Sequence, residues 1–185
     1  MDHIEQRTGE LLAELPDYIW NGKSLPIPIE AIADSHADLL VLDKDPAEMA
    51  AVLQVPEPVD GQTISGLLLP ARREIWVNAE EAEEWPLRRR FTIAHELGHW
   101  YLHQNGQQSL FCRHGTVDAD ETKAGRPELP HEEVEANWFA ASLLMPAEMV
   151  RVQYRRTGGD FNRLCGAFKS SGAAMGRRLH QAVGH

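Results

Sequence analysis

Apolar positions recur along this chain at two periods, and the changes from one to the other mark out the elements. At the start, Ile4, Leu11, Leu12, Leu15 and Ile19 fall on one helical face, and "NGKSLPIPIE" then breaks the pattern with Asn-Gly and two prolines. Pro28 suits the first turn of a short helix through Ala33. Residues 39–42 (LLVL), 64–69 (ISGLLL) and 74–78 (EIWVN) are short apolar runs that predict strands. The turn-like "PARR" joins the last two, so a small antiparallel sheet is expected. Trp85-Pro86 then opens a helix whose periodic positions, Phe91, Ala94, Leu97, Gly98, Tyr101 and Leu102, carry it to about His103. Residues 104–130 lack clear periodicity and predict a long connection, and loops longer than about 15 residues are usually functional or mobile. A second long helix runs from Pro130 to before Pro146, with Val134, Phe139, Ala140, Leu143 and Leu144 facing inward. Three further helices follow near 147–156, 161–168 and 172–182, the middle one capped by Asp160 after Gly158-Gly159.

This order of elements predicts an α+β fold, and 185 residues with 43% hydrophobic content suffice for one core. The single unit divides into N-terminal helices (1–36), a sheet with the two long helices (37–146) and a helical C-terminal part (147–185). No apolar run approaches the roughly 18 residues of a membrane span, and "MDHIEQRTGE" lacks the layout of a secretory signal, so a cytosolic protein is expected. Cys112 and Cys165 are too few for a disulfide framework and read as reduced thiols. The net charge of −10 is unevenly spread: residues 151–185 hold seven Lys/Arg against Asp160 alone. Such a basic part is suited to nucleic acid or to an acidic protein surface, and equally to a solvated face that balances an acidic body.

Candidate chemistry concentrates in "FTIAHELGHWYLH" (91–103). Histidines at i and i+4 share a helix face, so His95 and His99 can both reach one zinc ion at about 2.0–2.1 Å. Glu96 is turned by about 100° from His95 and is placed to act as general base on a metal-bound water rather than as a ligand. His103 lies too far along the axis, about 12 Å from His95, to join the same ion, and reads as a helix-end histidine favoured by the macrodipole. The third ligand is sought on the second helix, where Glu132, Glu133 and Glu135 compete. Glu133 shares a face with Asn137, which puts a carboxylate ligand beside a group able to hold a ligating histidine. Glu135 points elsewhere, and Glu132 has only Ala136 at that spacing. The expected ligands are therefore His95, His99 and Glu133 around one Zn2+, with Asn137 behind them.

"RRRFTIAHELGHWYLH" followed by "EEVEANWFAASLLMP" resembles the ImmA/IrrE family of bacterial zinc metallopeptidases over roughly Ile64 to Pro146. Position by position, the resemblance implies His95 and His99 as zinc ligands, Glu96 as catalytic base and Glu133 as third ligand. It implies a reduced zincin-like fold, with a small twisted antiparallel sheet beside the two metal-bearing helices. It also implies endopeptidase cleavage of a helix-turn-helix repressor in response to DNA damage or phage, some members serving anti-phage (CBASS-associated) defence, with single-stranded DNA as the expected activator.

Two features lie outside that pattern. Cys112, in "SLFCRHG", is flanked by Arg113 and His114, which favour a thiolate; in zinc's fourth position it would displace the catalytic water and hold the enzyme latent. The plainer reading is a small apolar residue beside Phe111. Arg88, Arg89 and Arg90 oppose the macrodipole in the first turn of the motif helix. Either the acids Glu80, Glu81, Glu83 and Glu84 neutralise them, or they join Arg72 and Arg73, or Arg151, Arg155, Arg156, Lys169, Arg177 and Arg178, in a phosphate-binding surface with Trp85 as a stacking partner. Tyr101, His114, His131 and Tyr154 are candidate oxyanion donors, and the strand 74–78 is a candidate edge for an extended substrate. A zinc-stabilised DNA-sensing or partner-binding module that does not cleave, and a general or DNA-crosslink processing peptidase, are the rival readings.

Overall fold

The computed structural model describes residues 2–53, 63–103, 111–115 and 129–184, with the backbone alone described at residue 63 and at 111–115. Helix α1 (Asp2–Glu14) leads to a short helix α2 (Ile29–Ala31), which continues as a wider turn over Ile32–His36. Strand β1 (Leu40–Lys44), helix α3 (Pro46–Leu53), strand β2 (Thr63–Leu69) and strand β3 (Glu74–Asn78) follow. Helix α4 (Ala79–Glu84) precedes the two long helices α5 (Pro86–Leu102) and α6 (His131–Leu144), between which lies strand β4 (Phe111–Gly115). Helices α7 (Ala147–Thr157), α8 (Phe161–Phe168) and α9 (Gly172–Val183) complete the α+β fold. None of the described helices is long and apolar enough to cross a membrane.

Several boundaries move for local reasons. α1 stops at Glu14 because Pro16 disfavours helical backbone before it, so Ile19 lies beyond the helix. The connection 104–130 contains β4, whose five residues, Phe-Cys-Arg-His-Gly, carry no alternation to betray a strand. The sheet runs β1-β3-β2-β4. β3 pairs antiparallel with β2 but parallel with β1, so the sheet is mixed rather than wholly antiparallel. β3 is thus interior, with both its edges hydrogen-bonded, and the strand 74–78 cannot accept a substrate by edge addition.

Alternation along β2 and β3 sorts their side chains to two faces. Leu67, Leu69 and Trp76 meet Met49 and Ala50 of α3, whereas Leu68, Ile75 and Val77 enter the main core with Ile93, Ala94 and Leu97 of α5. A run from Thr92 to His99 is buried, because α5 is covered by the sheet on one side and by α6 on another. Two glycines set those distances. A Cβ at Gly66 of β2 would lie 2.4 Å from Thr92 Cγ2 and 2.7 Å from Glu96 Oε1. A Cβ at Gly98 would lie 3.0 Å from Ala136 Cα and 3.2 Å from Phe139 Cβ of α6.

A polar clasp ties the ends of the chain to α6. Arg178 of α9, 1% exposed, binds the Glu5 carboxylate of α1 through both terminal nitrogens and donates Nε to the Met145 carbonyl at 2.7 Å. Ser142 adds a hydroxyl to Glu5 at 2.8 Å. Burial raises the Glu5 carboxyl, but the Arg178 hydrogen bonds and charge outweigh it and hold the group below its ordinary value. A depressed folded-state value means that this stability is present above the unfolded value and is lost as pH falls through the folded one. Glu5→Gln, which leaves Arg178 buried without a counter-charge, is expected to cost about 3 kcal/mol near neutral pH. Denaturation of wild type and variant should show that difference shrinking as pH drops below 4.5, the ordinary value for this carboxyl. Gly98→Ala should destabilise by about 1–3 kcal/mol by overpacking, although alanine is the better helix former by about 1 kcal/mol. A rise in unfolding free energy for that variant would contradict the helix contact.

Candidate metal centre

α5 begins at Pro86, where proline lacks an N–H that the first turn would leave unused anyway. Upstream, Asn78 caps α4 by accepting from the Glu80 and Glu81 amides at 3.0 and 3.2 Å. Its Nδ2 donates to the Ile64 carbonyl at 3.0 Å, next to the irregularity between Ile64 and Gly66 in the β2–β4 pairing. This fastening ties β2 near Ile64 to the start of α4, which precedes α5.

His95, His99 and Glu133 converge from two helices. His95 Nε2 and His99 Nε2 are 3.0 Å apart, and they lie 3.2 Å from Glu133 Oε2 and Oε1 respectively. Three ligands around a tetrahedral zinc ion are separated by roughly 3.3 Å when each bond is about 2.0–2.1 Å. The remaining nitrogens set the protonation pattern. His95 Nδ1 faces Asn137 Oδ1 at 3.1 Å and must donate to it, which leaves Nε2 as a lone pair. His99 Nδ1 is likewise engaged, with His103 Nδ1 at 3.1 Å. Two imidazole lone pairs and a carboxylate therefore point at one spot, a donor set that fits a divalent cation. Burial would raise the Glu133 carboxyl, but whenever His95 and His99 are protonated their hydrogen bonds and charge prevail and hold it far below the usual carboxylate range, and a divalent cation at the same point would take the place of those protons. It is thus an anionic ligand.

Glu96 is fully buried on the same helix, and its carboxylate lies beneath β2 at Gly66. The α5–α6 contact at Gly98 and Ala136 is one turn from Glu133 along α6, so the close packing of the helices is what brings the third ligand within reach. A cavity of about 340 Å³, walled by Phe91, Leu129, Val134 and Trp138, opens beside Asn137.

Other sequence candidates sit elsewhere. Cys112 and His114 are on β4, with Cys112 opposite Leu67 of β2, and their side chains lie outside the described residues. His103 does more than favour a helix end: its Nε2 meets Glu135 Oε2 at 3.1 Å while its Nδ1 meets His99. Glu135 does point away from the three ligand atoms, as its spacing implied, yet it gathers His103, His131 and His3 around one carboxylate. The hydrogen bond from His103, foremost, holds that carboxyl below its ordinary value. The signal for this group was available in the i, i+4 pair His131 and Glu135, but only the fold brings the end of α5 beside it. Tyr101 stacks on Phe139 under Arg7, and Tyr154 packs against Gly159.

The proposed phosphate surface loses several members to internal pairing. Arg178 is buried in the clasp with Glu5. Arg89 binds Asp43 and Glu30 at 2.9 and 2.7 Å, and Arg90 donates to the Ile27 carbonyl at 2.7 Å. Arg88 pairs with Glu81 at 3.3 Å, as one of the upstream acids, while Arg73 binds the Asp38 carboxylate and the carbonyls of Ala37 and Asp38. Arg72 lies over Trp76, Trp85 stacks under Arg88, and Arg151 caps the Ala182 carbonyl. Arg151 and Arg155 flank Glu148, Arg156 and Lys169 are exposed on the C-terminal helical part, and Arg177 borders the cavity.

No curated protein matches the chain. Among solved structures, a Mycobacterium tuberculosis transcriptional regulator is similar over 97% of this chain and 47% of its own, with a TM-score of 0.54 and 15% identity. That likeness is one of fold, and the chain spans about half the length of that protein. The Peptidase M78 family, described as the IrrE N-terminal-like domain, matches residues 47–180, a span that includes the helices bearing His95, His99 and Glu133, and the chain belongs to that family.

Proposed function

We propose that this protein is a zinc-dependent endopeptidase that cleaves a helix-turn-helix transcriptional repressor. The observation that carries the reading is the convergence of two imidazole lone pairs and the Glu133 carboxylate beside the buried Glu96. A bound zinc ion would supply Lewis-acid polarisation of a water molecule and of the scissile carbonyl. His95, His99 and Glu133 would hold it. Glu96 takes the proton of the attacking water and delivers it to the leaving amine, a service worth typically 10²–10⁴-fold. Burial under Gly66 keeps bulk water from competing for that carboxylate. The cavity beside Asn137, at about 340 Å³, is of a size to take a substrate side chain, with Phe91 and Trp138 as apolar walls and Arg177 at its border.

Regulation is the second part of the reading. Latency through Cys112 is proposed on the sequence alone, since β4 pairs Cys112 with Leu67, a residue of the α3 face, whereas Gly66 covers Glu96 from the other face of the sheet. Single-stranded DNA is the proposed activator, bound on the basic C-terminal helical part, where Arg156 and Lys169 are exposed. A zinc-stabilised DNA-sensing or partner-binding regulator that does not cleave is the alternative, and a transcriptional regulator shares the fold.

Where a neighbouring reading frame encodes a helix-turn-helix protein, incubation with that protein, with and without single-stranded DNA, should give one discrete cut. Glu96→Gln should lower cleavage by at least 10²-fold while zinc content stays at that of wild type. A variant that works as well as wild type would favour the non-cleaving alternative. Cys112→Ser should raise cleavage in the absence of DNA, and unchanged basal cleavage would remove the latency device while leaving the peptidase reading intact.

A further inference from the structure

We propose that His103 and Glu135 are positioning residues that orient the metal ligand His99 through a fixed order of protons. The proposal rests on the metal reading above and concerns residues which that reading leaves unused. His99 offers Nε2 to the convergence point, since that atom lies 3.0 Å from His95 Nε2 and 3.2 Å from Glu133 Oε1. Its proton is therefore on Nδ1. The atom facing it, His103 Nδ1 at 3.1 Å, has to be an acceptor. An imidazole that accepts at Nδ1 carries its proton on Nε2, and His103 Nε2 meets the Glu135 carboxylate at 3.1 Å. Each assignment forces the next, from the metal point to the carboxylate.

The fold holds each member of this chain in place. His103 ends α5, its amide bonded to the His99 carbonyl at 3.0 Å, which turns its ring back over the preceding turn. Glu135 is on α6, two residues from Glu133, so one helix supplies both the metal's anionic ligand and the anchor for the opposite side of the site. His131, one turn earlier on α6, lies 3.3 Å from Glu135 Oε2, and His3 of α1 lies 3.5 Å from Oε1. The carboxylate is thus steadied from three elements. The two ligating histidines are consequently supported by different chemistry: His95 donates to a neutral carboxamide, whereas His99 donates to an imidazole backed by a carboxylate. An anionic acceptor at the end of the chain draws the proton of His99 outward and makes its Nε2 a stronger donor to the metal.

The zinc dissociation constants of the full chain and its variants, read by competition with a chromophoric chelator, test this, with thermal unfolding of the metal-free forms alongside. His103→Phe removes the acceptor and should weaken zinc binding by about 10–100-fold. His103→Asn presents Oδ1 where Nδ1 stood and should recover most of that loss. Glu135→Ala, which leaves the His99–His103 contact in place, should weaken binding by a smaller factor. The cobalt-substituted forms should show visible bands displaced in His103→Phe and close to wild type in His103→Asn. Affinity within threefold of wild type in His103→Phe overturns the proposal, as do equal losses in His103→Phe and His103→Asn that follow the unfolding temperature. If His103→Phe does not fold, Glu135→Ala decides by the same measure, unchanged affinity overturning the proposal. A wild-type chain that takes up no zinc overturns the metal reading together with this one, whereas zinc-binding wild type with indifferent variants overturns this one alone.

Discussion

The closeness of α5 to α6 at Gly98 is the contact on which the site depends. Ala136 backbone atoms occupy the space that any side chain at position 98 would need. α5 by itself offers two histidines on one face, a pair that binds a metal weakly and leaves two positions open. Only when α6 lies against the helix does Glu133 arrive 3.2 Å from both imidazoles. The same packing places Asn137 behind His95 and Glu135 beside His103, so one helix pairing supplies the third ligand and both outer contacts. Gly66 performs the matching service on the sheet side, letting β2 cover Glu96.

Electrostatics then explain why such a site suits a cation. Burying a carboxylate and two imidazole lone pairs that face one another is unfavourable, since acceptors repel and each has lost water. The rest of the fold must hold them there, and it does so with an extensive apolar core and the Arg178–Glu5 clasp that joins α1, α6 and α9. A divalent cation would convert the unfavourable convergence into ligation, and its binding would then be linked to the stability of the α5–α6 pair.

Much of this was legible in the chain. The helical period through "FTIAHELGHWYLH", with Pro86 before it, defines α5, and the i, i+4 spacings define the His95–His99 pair and the Glu133–Asn137 face. What escaped was relational. β4, Phe-Cys-Arg-His-Gly, carries neither an apolar run nor an alternation, and the parallel pairing of β1 with β3 depends on a crossover that no local pattern encodes. Arg89 and Arg90 looked like surface charges in a helix's first turn, but Glu30, Asp43 and the Ile27 carbonyl reach them from 46 to 63 residues away. Glu135 was legible as turned from the metal ligands, but its contacts were not, because its partners His3 and His103 lie on other helices.

X-ray absorption at the zinc edge of the metal-loaded protein tests the central claim most directly. The account predicts two imidazole nitrogens and carboxylate and water oxygens at about 2.0–2.2 Å, with one histidine lost in His99→Ala and the carboxylate contribution lost in Glu133→Ala. A spectrum unchanged by those substitutions, or no zinc bound to the wild-type chain, would contradict it.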